Sequence, residues 1–294
     1  MFERPSARFL PDGKRLLLQQ GPIDLVVQAE GSTDAIRMAH EAALRRFDGL
    51  LAELCGELTL LRTPVTGASP RPDGVVAQRM HAAVVPFALA GFITPMAAVA
   101  GSVAEEILGA MLAAAPLNRA FVNNGGDIAL HLAPGEHFRI GLVDRPDRPN
   151  LFGTTTISAA DGIAGVATSG YPGRSFSRGI VEAVTVLAPT AAMADAAATV
   201  IANAVDLPGH PAIVRVPADT IQSDSDLGDI PVTRHVGRLT EAEIAEALAA
   251  GLDQAAGLQA RRLICSCAIH LQGRTRMLDL PALADTTRRK LAHA

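Results

Sequence analysis

The chain has 294 residues, 49% of them hydrophobic, with 26 Lys and Arg against 30 Asp and Glu and a formal net charge of -4. It is long enough to bury a substantial core, and its low charge and 26 glycines argue against long disordered tracts. No broad attraction to nucleic acid or to an anionic membrane follows from that charge, and one Tyr, nine Phe and no Trp leave no aromatic platform for single strands.

Near the start, RLLLQQGPIDLVVQAEG reads as two strands around a turn at Gly21 and Pro22. Apolar residues at helical spacing, Ile36, Ala39, Ala43, Phe47, Leu50, Leu51 and Leu54, predict one helix from Asp34 to Leu61, capped by Ser32 or Thr33. Three prolines make Arg62 to Gly74 a loop. Ala82 to Ala104 carries no formal charge over a membrane-helix length. Its prolines, glycines and many alanines predict a buried loop and helix start instead. A helix from Ala97 to Ala114 follows, then strands around Ala120 to Leu132 and Phe138 to Asp144 with a Pro134-Gly135 turn. Arg145 to Asn150 is a connector, and Thr154 to Ile157, Gly165 to Thr168 and Ala183 to Leu187 are extended.

Next comes an alanine-rich helix, Ala191 to Ala204, and later a helix from Glu241 to Ala255 capped by Thr240. Two terminal strands, Leu263 to Leu271 and Thr275 to Leu278, flank a Gly273 turn. Helices mixed with hairpins, without regular β–α alternation, make the class α+β. The three cysteines, Cys55, Cys265 and Cys267, read as small packed thiols and not as a disulfide framework; the last two would share one face of a strand. The charged N-terminus lacks the apolar core of a signal peptide, so a cytoplasmic protein without membrane or nucleic-acid partners is expected. Exposed strand edges and modest charge are compatible with a homodimer.

Three segments carry chemistry. Val122 to Ile128, VNNGGDI, sets consecutive glycines after a strand: they let backbone amides approach a ligand, or they turn an ordinary hairpin. Asn124 and Asp127 add polar groups there. Ala167-Thr168-Ser169-Gly170 precedes Arg174, Ser175, Ser177 and Arg178, which can clamp an anion or form a solvated loop. Asp195 sits mid-helix among alanines with Thr199 at i+4, either a pair of hard oxygens suited to Mg2+ or a helix surface facing solvent, and Asn203 lies on the same side further along. His81, His131, His210 and His235 show no metal spacing, and Asp224, Asp226 and Asp229 read as a surface turn.

Taken in order, AVAGSVAEEI, FVNNGGDIAL, FRIGL, GVATSG and ADAAATVIANAV resemble the ApbE-like superfamily, whose best-known members are FAD:protein FMN transferases. The longer stretches RLLLQQGPIDLVV, TPMAAVAGSVAEEIL and ATSGYPGRSFSRGI resemble a short, largely uncharacterised branch of it. The resemblance implies a duplicated T-fold, antiparallel sheets with helices on one face, as one unit of two intertwined halves near 1–118 and 119–294. It also implies that Asp195 and Thr199 hold Mg2+, with a carbonyl from Ala98 to Ala100. Glu105, Asn124, Gly125, Gly126, Asp127, Thr168, Ser169 and Gly170 would contact FAD or FMN. The transferases' His-Ile-x-Asp-Pro-x-Thr-Gly stretch is absent: YPGRSFSRGIVE runs from Gly170 to Ala183, making Arg174 and Ser175 the candidate reactive groups beside Asp195. The lysine-glycine start of the earlier helix is also missing, because Ala100 precedes Gly101. The expected activity is Mg2+-dependent chemistry on a flavin nucleotide. The alternative is an enzyme or binding protein for a small carboxylated or N-heterocyclic metabolite.

Overall fold

A computed structural model describes residues 4–89, 91–145, 151–279 and 284–285, so part of the expected connector, residues 146–150, lies outside the described residues. The chain forms two compact units of interleaved segments. The first is Met1–His137, Ser158–Val166 and Pro189–Ala196; the second is Phe138–Ile157, Ala167–Ala188 and Ala197–Ala294.

The first unit opens with β1 (Ser6–Phe9), β2 (Leu16–Gln20) and β3 (Ile23–Glu30). Gly21 takes φ +55° in the β2–β3 turn, which glycine adopts without a Cβ penalty. In β3, Ile23, Leu25, Val27 and Ala29 are buried and their neighbours partly exposed, the period-two pattern of a sheet covered on one face. The covering elements are α1 (Thr33–Phe47), α2 (Leu50–Gly56), α3 (Leu58–Leu61), α4 (Val75–Val84) and α5 (Val99–Ala114). Ser32 caps α1 by accepting the Ala35 N–H at 3.2 Å.

The single helix expected over residues 34–61 is three helices. Gly49, with φ +85°, breaks the helix after Asp48, yet Phe47, Leu50, Leu51 and Leu54 all enter one core, so apolar spacing carried across the break. Sequence reading also passed over α4, whose buried Val76, Ala77, Met80, Ala83 and Val84 follow a helical period. Helix α5, with the preceding turn, is the segment Pro95–Ala114, long and apolar enough to cross a membrane by length and composition. Here its Val103, Ile107 and Met111 fill the first unit's core, and it packs against α1, β4 (Arg119–Asn124) and β5 (Asp127–Leu132).

Further along, β6 (His137–Val143) and β7 (Leu151–Ser158) lie mainly in the second unit, and β8 (Gly165–Ser169) begins in the first and ends in the second. Strand order in the first unit is β1-β2-β3-β4-β5-β8. The second unit adds β9 (Ala183–Ala188), most of α6 (Ala191–Ala204), the paired β10 (Ile213–Pro217) and β11 (Pro231–Val236), and α7 (Glu241–Ala260). It ends with β12 (Ser266–Leu271), β13 (Arg274–Leu278) and β14 (Ala284–Asp285). Its strand orders are β8-β9-β12-β13 and β14-β7-β6. The pairings β1–β2, β2–β3, β3–β4, β4–β5, β5–β8, β9–β12 and β12–β13 are antiparallel, so the α+β class with antiparallel sheets holds.

Thr240 and Glu243 form the capping box that starts α7, which runs five residues beyond the expected Ala255. The β10–β11 pair was not read from sequence, because its strands are far apart in the chain and only partly buried. Cys267 is buried in β12, whereas Cys265 immediately precedes that strand; none of the three cysteines forms a disulfide. Burial raises the Cys267 thiol to about 12, which makes it inert at neutral pH.

His40 and His81 are buried with an unbonded Nε2, and burial pushes both pKa values below 6.5. A depressed imidazole pKa contributes stability that is present above the unfolded pKa and lost as pH falls through the folded one. Thermal stability is therefore expected to drop between pH 7 and 5. The double variant His40→Met/His81→Met should flatten that slope; an unchanged slope would assign the acid sensitivity elsewhere.

Candidate functional site

Every α-helix starts with backbone N–H groups that have no partner inside the helix. In α5 no side chain of its own supplies the cap. The Gly101 N–H donates instead to Asp195 Oδ2 of α6 at 3.0 Å, and the Ala100 N–H also bonds the Asp195 carboxylate. The first turn of α6 is treated likewise: Ala192 N–H donates to Glu105 Oε1 of α5 at 3.2 Å, and Met193 N–H to Thr190 Oγ1 at 3.2 Å. Each helix thus lends a carboxylate to the other's N-terminus. Glycine makes the approach possible, because a Cβ on Gly101 would lie 2.3 Å from the Ala191 carbonyl oxygen and 2.8 Å from the Ala192 nitrogen.

The Asn-Gly-Gly-Asp segment is a two-residue hairpin between β4 and β5, with Asn124 opposite Asp127 and φ of +68° and +120° at Gly125 and Gly126. Its tip is fastened twice. Gly126 N–H donates to Asn123 Oδ1 at 2.8 Å, and Asn124 Nδ2 donates to the Ala100 carbonyl oxygen at 3.3 Å. The second bond brings the hairpin onto the start of α5. There Asp195 keeps some contact with solvent, but burial raises its carboxyl pKa well above 3.8 and the neighbouring Asp127 carboxylate raises it further. Among the described residues, only the two backbone N–H groups counter this, and no side-chain cation does so.

Glu105 is held from its other side by Arg79 of α4, with Nε 3.1 Å from Oε2. The same guanidinium reaches Glu106 at 2.9 Å and the Ser102 carbonyl oxygen at 3.1 Å. Arg46 of α1 pairs with Glu106 at 2.6 Å and Glu53 at 2.9 Å. Burial would raise the Glu106 carboxyl, but Arg46 and Arg79 outweigh it and hold that group below its usual value. Sequence reading missed Arg79, which carries no local signal because it lies 26 residues before Glu105 and on a different helix.

Asn124, Gly125, Gly126, Asp127, Glu105 and Asp195 thus belong to the first unit, gathered at two helix starts and one hairpin. Thr168, Ser169, Gly170, Arg174, Ser175 and Thr199 belong to the second. Thr168 Oγ1 lies 3.0 Å from Thr185 Oγ1, and Gly170 passes so close to the Glu182 carbonyl that a Cβ would lie 2.1 Å from its oxygen. Arg174 and Ser175 are exposed in the loop after Gly170. Thr199 is one helical turn beyond Asp195 on α6 and partly exposed. Asn203 Oδ1 accepts the Arg178 N–H at 2.9 Å.

A cavity of about 930 Å3, bordered by Phe9, Lys14, Ile36, His40, Leu44 and Arg119, lies elsewhere in the first unit. It meets β4 at Arg119, five residues and so about 17 Å along the strand from Asn124. Two acids line this cavity, Glu30 and Glu41, and each is paired with an arginine of the same lining, Arg119 and Arg37 respectively.

The candidate metal-holding atoms beside Asp195 are oxygens: the Asp195 and Asp127 carboxylates and the Ala100 carbonyl, which also accepts Asn124 Nδ2. Among the described residues no cluster of three or more His, Cys, Asp or Glu forms a closed metal cage. Two neighbouring carboxylates beside a backbone carbonyl suit Mg2+, which keeps several waters and takes one or two protein carboxylates. They do not suit zinc, which favours sulfur and imidazole. The residues fit a hard divalent cation.

The family described as AbpE bacteria matches residues 7–277. The chain belongs to this family. Among similar proteins, a UPF0280 protein of Methanopyrus kandleri is 34% identical over 183 residues, 61% of this chain and 69% of that protein. A UPF0280 protein of Methanosphaerula palustris is 39% identical over 123 residues, 38% of this chain and 47% of the other. The match to this AbpE member thus spans about two thirds of the first relative's length and about half of the second's. A solved chain, the apo form of the flavinyl transferase ApbE of Pseudomonas stutzeri, is similar with a TM-score of 0.35 and 15% identity, over 68% of this chain and 84% of that one.

Proposed function

We propose that this protein is a Mg2+-dependent enzyme acting on a flavin nucleotide, FAD or FMN, in the manner of a flavin-nucleotide transferase. The single observation that carries the reading is the Asp195 carboxylate, which accepts the first amides of α5 beside Asp127 and, among the described residues, draws no side-chain cation of its own. Membership of the AbpE family and the resemblance of its motifs to the transferases supply the reaction class. Asp195 would hold the cation, joined by Thr199 one turn along α6 and by Asp127; Glu105, Asn124, Gly125 and Gly126 surround that corner. A divalent cation held there would neutralise charge on a pyrophosphate. This chain's own part is to fix the carboxylate: the Gly101 and Ala100 N–H groups hold Asp195 on the start of α5, and Asn124 Nδ2 holds the Ala100 carbonyl beside it.

The test is calorimetric titration of FAD with and without MgCl2. Binding is expected only with the metal, and chelation should weaken it at least about tenfold. No binding at high FAD with Mg2+ present would sink the reading. The Asp195 carboxyl must be ionised to hold a cation, and its pKa is raised. Metal affinity should accordingly fall as pH drops, starting well above the 3.8 of an ordinary aspartate.

A second reading follows from the loop that stands where the transferases carry their histidine stretch. Arg174 and Ser175 are exposed on it, and the Gly126 N–H is already taken by Asn123 and so does not face a phosphate. These features support recognition of a small carboxylated or N-heterocyclic metabolite. Binding of such a compound that survives Asp195→Asn but is lost in Arg174→Ala would favour it; capture without turnover would mark a carrier.

A further inference from the structure

We propose that Arg79 is a positioning residue for Asp195, acting through Glu105; this rests on the reading of Asp195 as the metal-holding carboxylate. The route is short and every link is a polar contact. All three guanidinium nitrogens are used on the first turns of α5: Nε on Glu105, one terminal nitrogen on Glu106 and the other on the Ser102 carbonyl. Glu105, so held, accepts the Ala192 N–H and anchors the start of α6. Asp195 lies three residues further along that helix and returns the favour by accepting the Gly101 N–H of α5.

Glu105 and Glu106 are consecutive acids, and Arg79 is the cation that reaches both. Without it the two carboxylates repel, and Glu105 is free to leave the Ala192 amide for solvent. The first turn of α6 then loosens, and Asp195, rigidly attached to it, loses its fixed place on α5. Arg46 offers a built-in comparison, because it pairs with Glu106 and Glu53 and makes no contact with Glu105. Removing Arg46 disturbs the same network without freeing the α6 cap. The arrangement assigns to Arg79 a task that no contact with a ligand requires: it sets the angle and rigidity of a carboxylate two links away, as outer partners do for metal ligands.

The experiment compares Arg79→Gln, Arg79→Lys and Arg46→Gln by amide hydrogen exchange and by Mn2+ titration, with Mn2+ as the probe of the Mg2+ site. In Arg79→Gln, exchange at Ala192 and Gly101 should accelerate about tenfold or more, and Mn2+ affinity should weaken by a similar factor. Arg79→Lys restores the charge but not the fork, so it should recover both partly. Arg46→Gln should leave the Ala192 and Gly101 amides at wild-type rates. Equal exchange at those two amides in Arg79→Gln and Arg46→Gln, or in Arg79→Gln and wild type, overturns the proposal. Failure of the wild-type protein to bind Mn2+ would strike the metal reading instead, and the exchange rates would still decide whether Arg79 fixes Asp195.

Discussion

Gly101→Ala is expected to destabilise the protein by about 3 kcal/mol, lowering Tm by roughly 6–12 °C. The new methyl would sit 2.3 Å from the Ala191 carbonyl oxygen and 2.5 Å from its carbon. These are backbone atoms at the start of α6, not the far end of a flexible side chain, so a helix has to move. Movement breaks the Gly101–Asp195 and Ala192–Glu105 bonds together, since both depend on the same close approach. Gly109 provides the control on the same helix: it is exposed and a Cβ there meets nothing within 4 Å. Gly109→Ala should stabilise by up to about 1 kcal/mol through helix propensity. Thermal melts of the two variants therefore move in opposite directions. A Gly101→Ala melt that matches wild type would mean that the α5–α6 approach is softer than its backbone contacts indicate.

The second large effect separates what Asp195 does for folding from what it does for function. Asp195→Asn keeps a side-chain oxygen to accept the Gly101 N–H while removing the charge that faces Asp127. Its Tm should equal or exceed that of wild type at pH 8. Asp195→Ala leaves the Gly101 and Ala100 amides without their acceptor and should cost about 1–2 kcal/mol. The sign of the pH dependence follows from the raised pKa: the wild-type carboxyl contributes stability fully present below 3.8 and lost as pH rises through its folded pKa. The advantage of the Asn variant in the metal-free protein is therefore largest at high pH and shrinks as pH falls. Both variants should lose Mg2+-dependent FAD binding by at least about a hundredfold, since even outer-shell changes cost ten to a hundredfold. Retained binding in a stable Asn variant would make Asp195 a helix cap and nothing more.

Much of this was legible in local pattern. The β2–β3 hairpin, the Ser32 cap, α5, α6 and the Thr240 capping box follow from short-range chemistry: a turn glycine, a cap hydroxyl, a run of small or apolar residues. Asp195 stood out because an acid among alanines has no polar face to share. What local pattern misjudged was continuity. Phe47 and Leu50 belong to one apolar stripe in the sequence, and only the left-handed Gly49 divides that stripe into two helices.

Composition and periodicity thus determined the α+β class and most elements, because each depends on neighbours within a few positions along the chain, while the candidate set, Glu105 included, was completed only by the resemblance of its motifs to the ApbE-like superfamily. The partnerships were decided by tertiary structure alone. Asp195 caps a helix 94 residues before it, Glu105 caps one 87 residues after it, and Arg79 steadies Glu105 from a third helix. The Asn-Gly-Gly-Asp segment forms a hairpin whose tip is fastened where Asn123 takes the Gly126 amide and Asn124 turns to the Ala100 carbonyl. A carboxylate's role depends on which distant N–H and which distant charge it meets, and no local spacing encodes that encounter.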